Sequence, residues 1–89
     1  MYKLKLYITG RTPGSEKVIR TIRKMFDENC GGKYTLDVID VFENPEDAYE
    51  ATILATPTLV KTLPAPVRQL VGDLSNRERV LAGLQLEGL

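Results

Sequence analysis

The chain has 89 residues, 43% apolar and 27% charged, which fits one globular domain and argues against disorder. Twelve basic against twelve acidic side chains leave no net field for nucleic acid or an anionic membrane, and no apolar run nears the roughly 20 residues of a membrane span. With no histidine and one cysteine, the usual zinc sites, an internal disulfide and the side chain most used for proton transfer near neutral pH are excluded.

Lys3–Thr9 alternates Lys3 and Lys5 with Leu4, Leu6 and Ile8, the period of a half-buried strand. Gly10 to Gly14 is a turn cluster around Pro13. Ser15 is the expected N-cap after it, its hydroxyl set to accept an orphan amide of the first turn. Val18, Ile19, Ile22, Met25 and Phe26 trace one face of a helix that Gly31-Gly32 ends. Tyr34–Phe42 reads as a second strand, so the first 44 residues form a βαβ unit with parallel strands and a right-handed crossover. Asn44-Pro45 with Asp47 then gives a cap, a proline at the first helical position and an acidic first turn, for a helix to about Ile53. Thr56-Pro57-Thr58 breaks that helix and leads into an apolar strand, Leu59–Leu63. Pro64-Ala65-Pro66 serves as a turn from which Val67–Val71 returns antiparallel. Ser75-Asn76-Arg77-Glu78 fits a capping box for a last helix through Val80, Leu81 and Leu84. The sum is βαβαββα, the order of a thioredoxin-like α/β domain.

Residues 45–89 also support a second parse. Val67, Leu70, Val71 and Leu74 lie at helical spacing, with Pro66 to start a helix and Gly72 to end it. Val80, Ala82, Leu84 and Leu86 alternate as in a strand, and Gly83 costs a helix about 1 kcal/mol relative to alanine. Against a total stability of roughly 5–9 kcal/mol, such local differences are large enough to decide between packings, which is what a fold switch requires.

A thioredoxin-like enzyme needs a Cys-x-x-Cys where the first strand meets the first helix, and here that place is Arg11-Thr12-Pro13-Gly14-Ser15. The lone thiol, Cys30, falls at the end of the first helix, where the dipole disfavours a thiolate, so it reads as inert or structural. There is no glycine-rich phosphate loop. Thr56-Pro57 stands where thioredoxin-like domains place a cis-proline, and is read either as one wall of a peptide groove or as a simple turn into the strand. Arg11 near a helix start suits an anion or plain solvation. Tyr2, Tyr7, Tyr34 and Tyr49 read as core or rim residues. Glu43, Glu46, Asp47 and Glu50 read as a helix-terminal charge bias that also suits a basic partner.

Several blocks resemble the KaiB clock proteins: K-L-Y-I-T-G-R-T-P-G-S (Lys5–Ser15), Y-T-L-D-V-I-D-V (Tyr34–Val41) and Asn44-Pro45. The likeness continues through I-L-A-T-P-T-L-V-K (Ile53–Lys61), L-P-A-P-V-R (Leu63–Arg68) and G-D-L-S-N-R-E-R-V-L (Gly72–Leu81). A looser likeness is to the KaiB-like sensor domain of a clock histidine kinase. The resemblance implies a protein without catalytic activity or cofactor that binds the N-terminal ATPase ring of a hexameric KaiC, captures a KaiA-type protein and competes with the sensor kinase. It also implies a metamorphic chain: a tetramer-forming βαββααβ state exchanges with the thioredoxin-like βαβαββα state that binds KaiC. Residues 1–44 are then constant and residues 45–89 rearrange.

By position, the resemblance assigns the KaiC-facing surface to Ala51, Thr52 and Lys61 with Arg68 and Gln69 nearby, and the KaiA-facing edge to Thr35 and Asp37. Pro57, Pro64, Pro66, Gly72, Gly83 and Gln85 are the expected controls of the switch. Asp37 and Thr52 stand where cyanobacterial relatives commonly carry lysine, which weakens the expectation for KaiA. Gln85 replaces a common aspartate, and Ala65 interrupts a triple proline. A helix-compatible Gln85 favours the thioredoxin-like packing, so the expectation is a monomer or dimer that spends more time in that state. The leading reading is a cytoplasmic adaptor for a KaiC-type ATPase. The alternatives are a detached sensor-like domain fixed in one fold, a thioredoxin-like redox protein, and a stress-related interaction domain with another partner.

Overall fold

Strand β1 (Tyr2–Ile8) runs inside a four-stranded sheet of order β2-β1-β3-β4 in the computed structural model, which describes residues 1–84. It is followed by α1 (Pro13–Cys30), β2 (Tyr34–Asp40), α2 (Pro45–Glu50), β3 (Thr58–Leu63), β4 (Arg68–Val71) and α3 (Arg77–Gly83). This is the βαβαββα order expected of a thioredoxin-like domain. β1 pairs in parallel with β2 and antiparallel with β3, and β3 pairs antiparallel with β4.

The alternation in β1 decides which face is dry. Leu4, Leu6 and Ile8 are buried against Ile19, Ile22, Met25 and Phe26 of α1 and Val80 of α3, with Leu59 from β3, Leu74 and Leu84 completing the core. A helix that places its apolar residues on one stripe has to bury that stripe, and α1 and α3 share one side of the sheet for this reason. On the other side Tyr7 and Val60 are also buried, and Gln69 of β4 donates from Nε2 to the carbonyl of Ala51, just past α2, at 2.9 Å. Between Lys3–Leu63 and Leu4–Lys61 the register shifts, leaving Thr62 as a bulge whose hydroxyl donates to the Lys3 carbonyl at 3.2 Å.

Element ends differ from the sequence expectations for identifiable reasons. α1 starts at Pro13, ahead of Ser15: the Thr12 hydroxyl accepts from the Ser15 amide at 3.1 Å, and proline fills the first position, where no amide is needed. Ser15 instead donates its hydroxyl to the Gly10 carbonyl at 2.8 Å. β2 stops at Asp40, short of Phe42, because the Asp40 carboxylate accepts from the amides of Gly10 at 3.1 Å and Phe42 at 2.9 Å and turns the chain. α2 ends at Glu50, short of Ile53, where Thr52 takes φ 56 and the Ile53 amide reaches back to the Ala48 carbonyl at 2.9 Å. Asn44 precedes α2 without a side-chain cap. The cap of α3 is Asn76, which accepts from the Arg79 amide at 3.0 Å, while Ser75 binds the Asp73 carboxylate through its amide and hydroxyl.

In this packing residues 68–71 are a strand and residues 77–83 a helix. Two interactions hold that arrangement. The Arg79 guanidinium donates to the carbonyls of Val71 at 2.9 Å and Asp73 at 2.6 Å, clasping the β4–α3 loop. Arg77 reaches across to Asn29 Oδ1 near the end of α1. No helix among the described residues is long and apolar enough to cross a membrane.

Candidate interaction surfaces

The place where thioredoxin-like enzymes hold their thiols is a cavity of about 220 Å³ between the start of α1 and the chain entering β3. Its walls are Ile8, Thr9, Thr12, Gly14, Ser15, Val18, Thr56 and Pro57. The Thr56–Pro57 bond is cis, and the hydroxyls of Thr9 and Thr56 bond to one another across the cavity at 2.5 Å. These walls offer no sulfur and no ionisable side chain, so the redox chemistry of this position has no agent here. Arg11 is engaged by Glu16 at 3.0 Å.

Among the described residues, three titratable groups are displaced from ordinary values. Burial, aided by the negative charge of Asp47, pushes the Tyr7 phenol up. Burial also raises Tyr34, helped by its hydrogen bond to Asp27. The Ser75 hydroxyl and amide hold Asp73 below the usual carboxylate range. Tyr7 and Tyr34 are held as structural groups, and Phe26 packs on Tyr34 with ring centroids 5.6 Å apart. Among the described residues no group of histidine, cysteine, aspartate and glutamate is placed to hold a metal ion.

The residues carried over by resemblance fall on two edges of the sheet. Thr35 and Asp37 are exposed on the outer strand β2, in register with Lys3 and Lys5. Ala51 and Thr52 end the α2 segment, and the Gln69 bond to Ala51 joins that segment to β4, so these three residues do come together. Arg68 is exposed on β4 beside Lys61. Lys61 itself is 2% exposed on the face that carries Leu4 and Leu59, which corrects its expected place on an open surface. Its stem is packed in the core, so its contribution is to packing.

The expected switch controls cluster at the ends of β3 and β4. Pro57, Pro64 and Pro66 all follow cis bonds, and Gly72 takes φ 101 in the loop that Arg79 clasps. Gly83 closes α3 against Leu70. Gln85 lies outside the described residues.

Sequence reasoning missed the exposed apolar residues around α2. Phe42, Tyr49 and Leu54 are 74%, 86% and 91% exposed, so Tyr49 is neither core nor rim. The available signal was that Tyr49 and Leu54 join no apolar stripe of either parse, whereas Phe42 falls at the end of the expected strand Tyr34–Phe42.

A model of the KaiB domain matches residues 5–86. The chain belongs to the KaiB family. It is 54% identical over 85 residues to the circadian clock oscillator protein KaiB of Microcystis aeruginosa, covering 96% of this chain and 82% of that one. Identity to the KaiB of Prochlorococcus marinus is 55% over 85 residues, 96% of this chain and 71% of that one. The solution structure of the N-terminal domain of Synechococcus elongatus SasA superposes with a TM-score of 0.79 at 26% identity, over 99% of this chain and 88% of that domain. Mitochondrial thioredoxin 3 of Saccharomyces cerevisiae superposes at 0.71 with 16% identity, over 94% and 76%, a likeness of fold alone. In this KaiB-family chain the position of the thioredoxin thiols is occupied by Thr12, Pro13 and Gly14.

Proposed function

We propose that this chain is a non-enzymatic circadian-clock adaptor that binds the N-terminal ATPase ring of a KaiC-type hexamer while in its thioredoxin-like state, in the cytoplasm. The observation that carries the reading is the KaiB-family match across residues 5–86 in a chain folded as βαβαββα, the arrangement in which residues 68–71 and 77–83 form β4 and α3. The same reading makes residues 45–89 the half that exchanges with a βαββααβ packing, residues 1–44 the constant half, and the non-binding state an oligomer. A KaiA-type protein and a clock histidine kinase are the further partner and the competitor. Asp37 on the β2 edge argues against tight KaiA binding, since reversing a charge at an interface costs several kcal/mol against a partner suited to the opposite sign.

A second reading, a sensor-like domain fixed in the thioredoxin-like fold, is favoured by the superposition on the SasA domain at a TM-score of 0.79. Concentration-dependent assembly separates the two, because only the exchanging chain has an oligomeric alternative.

The test is co-elution with the KaiC-type hexamer of the same genome in ATP, sampled over several hours. Immediate co-elution means the binding fold is already populated, and slow co-elution means refolding limits binding. No complex at all removes the adaptor reading.

A further inference from the structure

Another cavity, of about 190 Å³, lies where α1 meets the loop between β4 and α3. Lys17, Val18 and Thr21 line it from α1, and Gly72 to Ser75 from the loop. Leu74 is 3% exposed and belongs to the core, so the cavity reaches down to apolar packing. Most polar groups around it are already committed. The Thr21 hydroxyl donates to the Lys17 carbonyl at 2.9 Å, and the Ser75 hydroxyl and amide both end on Oδ1 of Asp73. The Gly72 amide donates to the Pro57 carbonyl at 3.3 Å, and the Asp73 carbonyl accepts from Arg79 at 2.6 Å. Among the described residues the Lys17 ammonium and Oδ2 of Asp73 bond to no protein group, and they form no ion pair with one another.

One apolar recess is thus bordered by one uncommitted cation and one uncommitted anion. A molecule matched to all three carries a carboxylate and an ammonium at one end and a compact hydrocarbon group at the other. Apolar walls with a few polar groups that fix orientation are the usual form of a small-molecule site. We infer that this cavity binds a free aliphatic α-amino acid of the size of valine. Lys17 meets its carboxylate, Asp73 meets its ammonium, and Val18, Thr21 and Leu74 cover its side chain. An apolar cavity of about 150 Å³ is enough to take up benzene, so an isopropyl group fits here. The inference goes beyond the adaptor reading and adds one consequence to it. Lys17 to Thr21 lie in the half read as constant and Gly72 to Ser75 in the half read as exchanging, so the site is complete only in the βαβαββα packing. An occupant that binds one packing better shifts the chain towards it.

The experiment titrates the isotope-labelled full chain with L-valine at neutral pH and follows the backbone amides by NMR. Two analogues test the charges separately: isovalerate lacks the ammonium, and isobutylamine lacks the carboxylate. Glycine lacks the side chain. The variants are Lys17→Gln, Asp73→Asn, which keeps an acceptor for Ser75, and Thr21→Leu, which fills the recess. Lys24→Gln, exposed on α1 outside the cavity, is the control. Circular dichroism checks that each variant is folded.

Saturable shifts at the amides of Lys17 to Thr21 and Gly72 to Ser75 are expected, with half-saturation on the order of 1 mM, as suits a ligand of few atoms. Loss of either charge, from the ligand or from the protein, should weaken binding about threefold, because these charges stand in water. Glycine and Thr21→Leu should each weaken it at least about tenfold through loss of the apolar contact. Lys24→Gln should match the wild type. Shifts that do not saturate, or that fall outside the two segments, overturn the inference. So does isovalerate or isobutylamine binding as tightly as valine, which would make the cavity a site for one charge only. Glycine binding as tightly as valine overturns it too, and that arm holds even where Thr21→Leu does not fold. The titration contains no hexamer, so its failure leaves the adaptor reading standing.

Discussion

The Cβ that Gly83 lacks would lie 3.0 Å from Cδ1 of Leu70, where α3 closes on β4. Two opposing terms therefore meet at one position. Alanine improves a helix by up to about 1 kcal/mol over glycine, but here its methyl presses a leucine that is packed against the core. Propensity alone predicts that Gly83→Ala favours the helical state of this segment; the contact with Leu70 cancels most of that gain.

The expected result is that Gly83→Ala changes stability by less than about 0.5 kcal/mol in the wild-type background. In a Leu70→Val background, where the obstructing methyl is gone, the same change should stabilise by about 0.5–1 kcal/mol relative to Leu70→Val alone. Gly83→Leu should lose about 1–3 kcal/mol through overpacking. Urea denaturation of the wild type and these four variants measures this. Additive effects of the two sites would mean that α3 and β4 do not meet as described.

Thr52 is the one described non-glycine residue with positive φ, at 56. The left-handed region costs an L-residue roughly 1–2 kcal/mol, and a β-branched side chain fares worse there than most. Thr52→Gly and Thr52→Asn should both relieve this and raise stability by about 0.5–1 kcal/mol, a gain of several degrees in Tm for a domain of this size. Thermal unfolding checks it. If both variants melt at or below the wild-type temperature, the turn after α2 is not left-handed in solution.

The first half of the fold was legible because long periodic segments state their partners. Five apolar positions in α1 have one possible stripe, and Leu4, Leu6 and Ile8 match it from the sheet. The caps were legible in kind but not in position. Thr12 and Asn76 each sit within three residues of a competing serine, and only geometry shows Ser15 spent on Gly10 and Ser75 on Asp73. The β4–α3 region read two ways because its runs are short and its arrangement is fixed by non-local bonds, Arg79 to Val71 and Arg77 to Asn29, that no period encodes. Lys61 was illegible for a related reason. A lysine among apolar neighbours looks like an edge charge until the register puts it opposite Leu4 on the core face. The thiol position was readable by what occupies it, whereas the exposed Tyr49 and Leu54 carried no pattern at all.

Lys61 gives a direct way to separate packing from contact. Its stem is buried at 2% exposure next to the core, so shortening it leaves a gap. Lys61→Ala should lose about 2–3 kcal/mol, the usual range for deleting a buried chain of that length. Lys61→Met keeps the stem and removes only the charge, and should leave stability within about 1 kcal/mol of wild type. Binding to the KaiC-type hexamer should follow the same order, with Lys61→Met near wild type and Lys61→Ala weakened through loss of the folded state. A Lys61→Met chain that is stable but fails to bind would restore the ammonium as a direct contact.

Acid lability should be traceable to the loop that Asp73 organises. Its carboxylate accepts from the Ser75 amide at 2.9 Å and the Ser75 hydroxyl at 2.5 Å, and these bonds favour the charged form, holding the group below the usual carboxylate range. A depressed folded value means the unfolded chain binds the proton more readily. The stabilisation is therefore complete above the unfolded value, near about pH 4, and is lost as the pH falls through the lower folded value. Carbon-detected NMR titration should find the Asp73 midpoint below the ordinary aspartate value, and Ser75→Ala should move it back up. The hydrogen-exchange protection factor of the Ser75 amide should fall over the same acid window in the wild type, and should already be lower at neutral pH in Ser75→Ala. An Asp73 midpoint unmoved by Ser75→Ala would show that the turn is not held by these bonds, and with it that this loop does not help to fix α3 against β4.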